Sequence, residues 1–358
     1  MTASSAGSTP PPRRGGGTVA LVESPVQLLN VLEWAHIQPS VPAARDGGAH
    51  DGADGGSQNG PHGGTDGGPG GAGGAAPARG GGARTAMTVV VLSPADPASR
   101  GQLRRMAELA RDEGLAVRWY EARGGRGGLP RTALALAPTL WRTRRLVVGD
   151  PFSRLVQVML PLCRARELVV VDDGTATMEF TGILARGGRL VRWHRSGRRR
   201  SPLDAVLGVF ASAARRRLTP GRRRRVELFS AMPATPPQGM ALRPNTFGWT
   251  RARFGPPRLL GGTDLIGTSL VETGVVDAGR YLAAVAELAE RHGAVRYFAH
   301  RKESQDKLHR LAEATGLEIV RPDLPLELVA RRGPTGREVV TFPSTVVHTL
   351  PLVLAGTD

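Results

Sequence analysis

The chain has 358 residues with Gly 48, Pro 28 and 40% hydrophobic residues, enough for two domains and a sizeable core but with a share too poor in apolar groups to pack. The single cysteine, Cys163, excludes a disulfide framework and a cysteine-based zinc site. The formal net charge is +17, carried almost wholly by arginine, since Lys302 and Lys307 are the only lysines. Such a charge favours phosphate-rich partners, whether nucleic acid, nucleotide or anionic lipid. No run approaches the roughly 20 apolar residues of a spanning helix. Residues 1–17 carry no signal-peptide core, so a cytoplasmic protein with a disordered N-terminus is expected.

Residues 18–22 (TVALV) form a short apolar strand, closed by Glu23, Ser24 and Pro25. A helix is predicted over 26–37, with Val26, Leu29, Leu32 and Ile37 on one face and Gln27, Asn30 and Glu33 on the other. Ser24 fits the N-cap, Pro25 the first helical position and Gln27 the capping-box position. Residues 39–86 are nearly all Gly, Ala, Pro, Asp, Ser and His. They cannot bury enough apolar surface to offset ordering entropy, and a disordered insertion is expected. Strands over 88–92, 115–119 and 145–149 then alternate with helices over 99–113, 130–142 and 154–163. Residues 149–153, with Asp150, make a strand-end turn.

Residues 167–180 read ELVVVDDGTATMEF. The unbroken apolar run Leu168 to Val171 suits a strand buried on both faces of a parallel sheet. Ligands sit beyond the carboxyl ends of such strands, and there Asp172 and Asp173 arrive with Gly174 to turn the chain. The same three residues are also ordinary turn formers.

Between 187 and 225 the runs 198–200, 215–217 and 222–225 are all arginine. They flank a helix predicted over 203–213, with Leu203, Val206, Leu207 and Phe210 at helical spacing. An interdomain linker with one packed helix is one reading; an amphipathic helix on an anionic membrane is another. Nucleic acid is disfavoured, because no aromatic residues interleave with the arginines to stack bases.

Strand–helix alternation then restarts. Strands are predicted over 226–229, 259–270, 295–299, 317–320 and 338–342, with helices over 277–292 and 304–315. A short turn over 325–329 holds Glu327, and Ser344 and Thr345 open a last helix. The expected fold is α/β, with two Rossmann-like domains facing a cleft. An N-terminal acceptor domain spans 18–186, an arginine-rich linker 187–225 and a C-terminal nucleotide-sugar-binding domain 226–358.

Three strand-end sites stand out: Asp172-Asp173-Gly174, His300-Arg301 and Ser344-Thr345. The carboxylates offer a general base, His300 can bind or protonate a phosphate, and a helix N-terminus suits an anion. Taken singly, each is as common in plain caps and turns. The set fits nucleotide-sugar transfer.

These motifs resemble the bacterial sialyltransferases and polysialyltransferases of the GT-B fold, near glycosyltransferase family 52. The likeness rests on Glu-Ser-Pro-x-Gln-Leu-Leu-Asn at 23–30, Asp-Asp-Gly at 172–174, His300, VELFS at 226–230 opening the second domain, and Ser344-Thr345. The resemblance implies an inverting, metal-independent transferase with no cofactor, moving a sugar from a CMP-activated donor to a glycan acceptor. Asp173 would then be the base and Asp172 its neighbour, with His300, Arg301, Ser344 and Thr345 on the phosphate and Glu327 on the cytidine or ribose. Glu23, Ser24 and Gln27 would lie on the acceptor side. Arg301 stands where that family has proline. The readings held against it are another nucleotide-sugar enzyme on the same scaffold and a non-catalytic arginine-rich protein binding membrane or nucleic acid.

Overall fold

The computed structural model describes residues 17–39, 87–125, 127–192 and 202–357, without the side chains of 202–206. The disorder expected of the N-terminus and of the insertion, and the arginine run 198–200, fall outside the described residues. The chain on either side of the insertion forms one compact unit.

The first lobe contains β1 (Thr18–Val22), α1 (Pro25–His36), β2 (Met87–Leu92), α2 (Pro97–Asp112), β3 (Ala116–Tyr120), α3 (Gly128–Arg142), β4 (Arg145–Val148), α4 (Arg154–Met159), β5 (Glu167–Val171), α5 (Thr175–Ala185), α6 (Pro202–Leu218), β6 (Arg225–Ser230) and β7 (Ala241–Pro244). Its strands form a 7-stranded sheet in the order β3-β2-β1-β4-β5-β6-β7. Every pairing is parallel. Alternate residues feed two helical layers: Leu168 and Val170 pack with α3 to α6, whereas Val169 and Val171 pack with α1 and α2. That two-sided burial is why these strands read as continuous apolar runs.

The helix α7 (Gly248–Phe254) leads into the second lobe, with β8 (Leu259–Ile266), α8 (Ala278–His292), β9 (Ala294–Phe298), α9 (Gln305–Thr315), β10 (Glu318–Val320), α10 (Leu326–Arg332), β11 (Thr335–Thr341) and α11 (Val346–Val353). Its 4-stranded sheet runs β10-β9-β8-β11, again wholly parallel. Leu265, Tyr281, Val285, Tyr297, Leu308 and Leu311 form its own core. Both sheets are Rossmann-like. Each has a topological switch point, between β1 and β4 in the first and between β8 and β11 in the second.

Several expectations need correction. The strand 226–230, expected to open the second domain, is the sixth strand of the first sheet, paired from Glu167↔Arg225 to Val171↔Phe229. The helix expected in a linker is α6, which belongs to the β5-to-β6 crossover. Ala211, Ala214 and Leu218 enter the first core, and the helix packs on α4 and the 3-10 turn Leu160–Leu162. Of the apolar residues expected at helical spacing, Leu207 and Phe210 are half-buried, and the side chains of Leu203 and Val206 lie outside the described residues. α1 is not two-faced: Gln27, Asn30 and Glu33 are as buried as Leu29 and Leu32, and Ile37 is exposed. Finally, α10 and α11 return to the first lobe, where Leu324, Leu328 and Val353 join the core beside α1 and α7. Among the described residues no helix is long and apolar enough to cross a membrane.

Candidate functional site

The carboxyl ends of β1, β4 and β5 lie side by side at the switch point of the first sheet. Each delivers one acid at its edge: Glu23, Asp150 and Asp173. Asp150 and Asp173 are joined by Arg192, whose Nη2 lies 3.1 Å from Asp150 Oδ2 and 3.2 Å from Asp173 Oδ2. Glu23 accepts hydrogen bonds from Ser153 Oγ and Arg123 Nη2. Burial holds its carboxyl above the usual range, Arg123 and Ser153 oppose that, and repulsion from Asp173 adds to it. Asp150 is pushed up to about 6, by burial first and by Asp173 second, with Arg192 opposing. Burial works against the charge of Arg192, but its two carboxylate neighbours outweigh it and raise its pKa. The cluster thus holds more acid than base in a confined space. This is a common way for a site to keep one carboxylate ionised and its neighbour protonated near neutrality.

Asp172 is placed differently. It is 3% exposed and accepts from Ser230 Oγ and from the Ala231 N–H, both at 2.7 Å. Its backbone carbonyl accepts from Asn30 Nδ2 at 3.0 Å. It fastens the end of β5 to the end of β6 and to α1. Burial raises its pKa, against bonds from Thr177, Ser230 and Ala231.

The polar stripe of α1 is what fixes these loops. The Glu23 N–H donates to Gln27 Oε1 at 2.7 Å, and Ser24 Oγ accepts from the Gln27 N–H at 3.3 Å as the N-cap. The Gln27 side chain lies over Gly149, where a Cβ would stand 2.3 Å from Oε1, so the turn bearing Asp150 needs glycine there. Asn30 Oδ1 accepts from Asn245 Nδ2, and Glu33 accepts from the Trp249 and Thr250 N–H groups at the start of α7, each at 2.9 Å. Gln27 and Ser24 therefore shape the site through Glu23 and Gly149.

The second lobe meets this edge through its own carboxyl ends. Gly174 has φ 67°, and a Cβ on it would come within 3.0 Å of Thr345 Cγ2. The Asp-Asp-Gly turn and the Ser-Thr turn are thus in contact, bringing the carboxyl edges of β5 and β11 together. Thr345 precedes α11 as its N-cap without a side-chain capping bond, and Ser344 Oγ lies 3.3 Å from Thr341 Oγ1. Glu327 on α10 is buried and accepts from Thr349 Oγ1 at 2.9 Å. Its pKa is raised by burial first; Thr349 and Arg301 oppose this, and Asp172 adds to it. Arg301 also acts on Asp96, the N-cap of α2, and its Nε is buried without a hydrogen-bond partner. The charge of Arg301 therefore acts on both Asp96 and Glu327, and its Nε has donor capacity to spare.

His300 lies beyond the carboxyl end of β9. Its Nδ1 accepts from the Lys302 N–H at 3.2 Å, and its own N–H donates to Glu303 Oε2 at 2.5 Å. Burial first, then Arg301 and Lys302, lower its pKa to about 4. The ring is neutral near pH 7, with Nε2 as the protonated nitrogen, so it can donate a hydrogen bond but is a poor proton reservoir. Behind it lies a buried network. Tyr297 OH donates to Glu303 Oε1 at 2.6 Å and lies 2.7 Å from Tyr281 OH. Lys307 Nζ pairs with Glu303 Oε1 at 2.7 Å.

Sequence reasoning missed Asp150, Arg192 and Asn30. Asp150 carries the same signal as Asp173, an acid ending an apolar strand. Asn30 is legible in the Glu23, Gln27, Asn30 spacing of one helical stripe. Arg192 has no local signal. Among the described residues no three His, Cys, Asp or Glu side chains are grouped to hold a metal ion. No protein-family model matches the chain, and no curated protein matches it significantly.

Proposed function

We propose that the chain is an inverting glycosyltransferase of GT-B type, transferring a nonulosonic-acid-like sugar from a CMP-activated donor to a glycan hydroxyl. The observation that carries this reading is the contact between Gly174 and Thr345. It juxtaposes a carboxylate cluster on one Rossmann-like edge with an anion-compatible helix start on the other. Ligands of such sheets bind in this position.

In this mechanism Asp173 takes the proton of the acceptor hydroxyl. The hydroxyl oxygen attacks the anomeric carbon from the face opposite the phosphate, and the carbon–oxygen bond to CMP breaks with inversion. CMP leaves with the bonding electron pair. Arg192 holds the carboxylates of Asp150 and Asp173 beside each other. The opening N–H groups of α11, with Ser344 and Thr345, hold the phosphate. Arg301 adds a cation and His300 Nε2–H a hydrogen bond to the leaving group. Glu327 is the candidate contact for ribose or cytidine, and Glu23 faces the acceptor.

The test is a thermal-shift screen of CMP, CDP, UDP and GDP, followed by transfer and donor hydrolysis with CMP-N-acetylneuraminic acid. A ligand that binds only the native state raises its melting temperature. CMP should stabilise most, and hydrolysis should release CMP. No shift with any of the four nucleotides and no donor turnover would remove the proposal. Tight, steeply salt-dependent DNA binding in their place would favour the non-catalytic reading.

A further inference from the structure

The opposite edge of the first sheet holds a second concavity. Arg164 and Arg166 precede β5, Arg222, Arg223 and Arg224 precede β6, and Arg217 lies near the end of α6; together they line a cavity of 310 Å³. β5 and β6 are neighbours in the sheet, so the segments entering them lie side by side at its amino edge.

The backbone there is fixed. The N–H of Gly221 donates to Arg224 O at 3.1 Å, the N–H of Arg224 returns to Gly221 O at 2.9 Å, and the Arg225 N–H reaches Arg166 O at 2.8 Å. Two of the guanidinium groups are tied to carbonyls, Arg217 Nη2 to Ala165 O at 2.7 Å and Arg224 Nε to Thr219 O at 3.0 Å. Arg164 stacks on the Trp141 ring, 3.5 Å from its centroid.

No carboxylate lines the cavity, and among the described residues no ion pair reaches these six arginines. Arg217 Nε is buried without a hydrogen-bond partner. Burial first, and then the charge of Arg217, depress the pKa of Arg224. Like charges held this close raise the free energy of the unliganded fold, and an anion in the cavity relieves it.

We propose that this cavity binds a compact oligophosphate, remote from the site at Asp173. Planar guanidinium forks match phosphate oxygens in pairs, which a single lysine cannot do. The volume sits at the lower end of the roughly 300–1,000 Å³ of small-molecule pockets, suited to a diphosphate or triphosphate group. A single-stranded nucleic acid wants a long track with exposed stacking aromatics. Here the Trp141 ring is already covered by Arg164. A free metabolite and a lipid headgroup can both present the same phosphate cluster.

Calorimetric titration of the whole chain with pyrophosphate, tripolyphosphate and sulfate at constant ionic strength tests the site. Tripolyphosphate should bind one to one and more tightly than sulfate. Arg222 and Arg223 are exposed, so Arg222→Glu with Arg223→Glu should keep the wild-type melting temperature and weaken binding by roughly tenfold or more. Arg166→Gln, also at an exposed position, should weaken it in the same direction. Phosphatidylcholine vesicles carrying phosphatidylinositol 4,5-bisphosphate separate the sources. Vesicle binding that tripolyphosphate competes away assigns a headgroup, and free binding without vesicle binding assigns a soluble ligand. The site is refuted if wild type binds neither oligophosphate saturably, if the arginine variants bind unchanged, or if a DNA duplex binds where tripolyphosphate does not.

Discussion

Asp150 and Asp173 grip the same nitrogen of one guanidinium, Arg192 Nη2, at 3.1 and 3.2 Å. Burial first and the charge of Asp173 second raise the pKa of Asp150, and Arg192 between them opposes the rise.

Stability should record that sharing as a dependence on pH. Unfolded Asp150 ionises near 3.8, but the folded carboxyl keeps its proton to about 6. The folded state binds more protons in that window, so this contribution falls as pH rises through it. His300 runs the other way, from 6.5 unfolded to about 4 folded, and its contribution rises with pH across that interval. The two slopes mask each other in the wild type. Urea denaturation of Asp150→Asn should show stability relative to wild type improving from pH 4 to pH 6 by on the order of 1–3 kcal/mol, then levelling. A difference that is constant with pH rejects the assignment.

The adjacent aspartates should separate cleanly on substitution. Asp173→Asn removes the proposed base and should cut transfer by roughly 10²–10⁴-fold while stability and CMP binding change little. Asp172→Ala leaves the buried Ser230 hydroxyl and Ala231 N–H without their acceptor, and should cost about 1–3 kcal/mol in unfolding free energy. Full transfer activity in Asp173→Asn would return that residue to a simple turn.

Gly174→Ala probes the contact between the lobes. The positive φ and the approach of Thr345 Cγ2 both oppose a Cβ, at a cost on the order of 1–3 kcal/mol. Adding Thr345→Ser deletes the opposing methyl and should restore part of the loss, leaving only the backbone strain. Strictly additive effects in the double-variant cycle would mean that the two turns do not touch in solution.

Lys307→Met tests the network behind His300. The side chains of Lys307 and Glu303 are 5% and 0% exposed, so removing the amine strands a buried carboxylate. A loss of about 3–5 kcal/mol is expected, as for other broken buried pairs. Changing Glu303→Gln in the same chain should recover much of it. Thermal melts of the two variants decide the matter.

Strand positions were plain in the sequence because apolar runs ended abruptly at Asp, Gly or Ser. Which sheet a strand joins was not, since VELFS at 226–230 is equally apolar beside β5 or in the second lobe. β7 and α7 escaped notice because ALRP is exposed along its length and GWTRARF is too short to show a period. Gln27, Asn30 and Glu33 looked like a solvent face, yet Gln27 bonds the nearby Glu23 N–H, and Asn30 and Glu33 bond groups of distant segments at 172, 245, 249 and 250. The aspartates at 172 and 173 looked alike. Only the position of Ser230 and Arg192 in space distinguishes one that ties strands together from one that pairs with an arginine.

After α7 the chain does not leave the first lobe for good. It passes from β10 back to α10 on the first core, out again to β11, and home to α11. Gln102 on α2 grips the Pro322 carbonyl at 2.8 Å along the way, and Arg331 holds the carbonyl of Val353 at 3.1 Å. A body laced to its neighbour by so many passes cannot swing on a single hinge. Relative motion of the two lobes would have to be shared among several short connections.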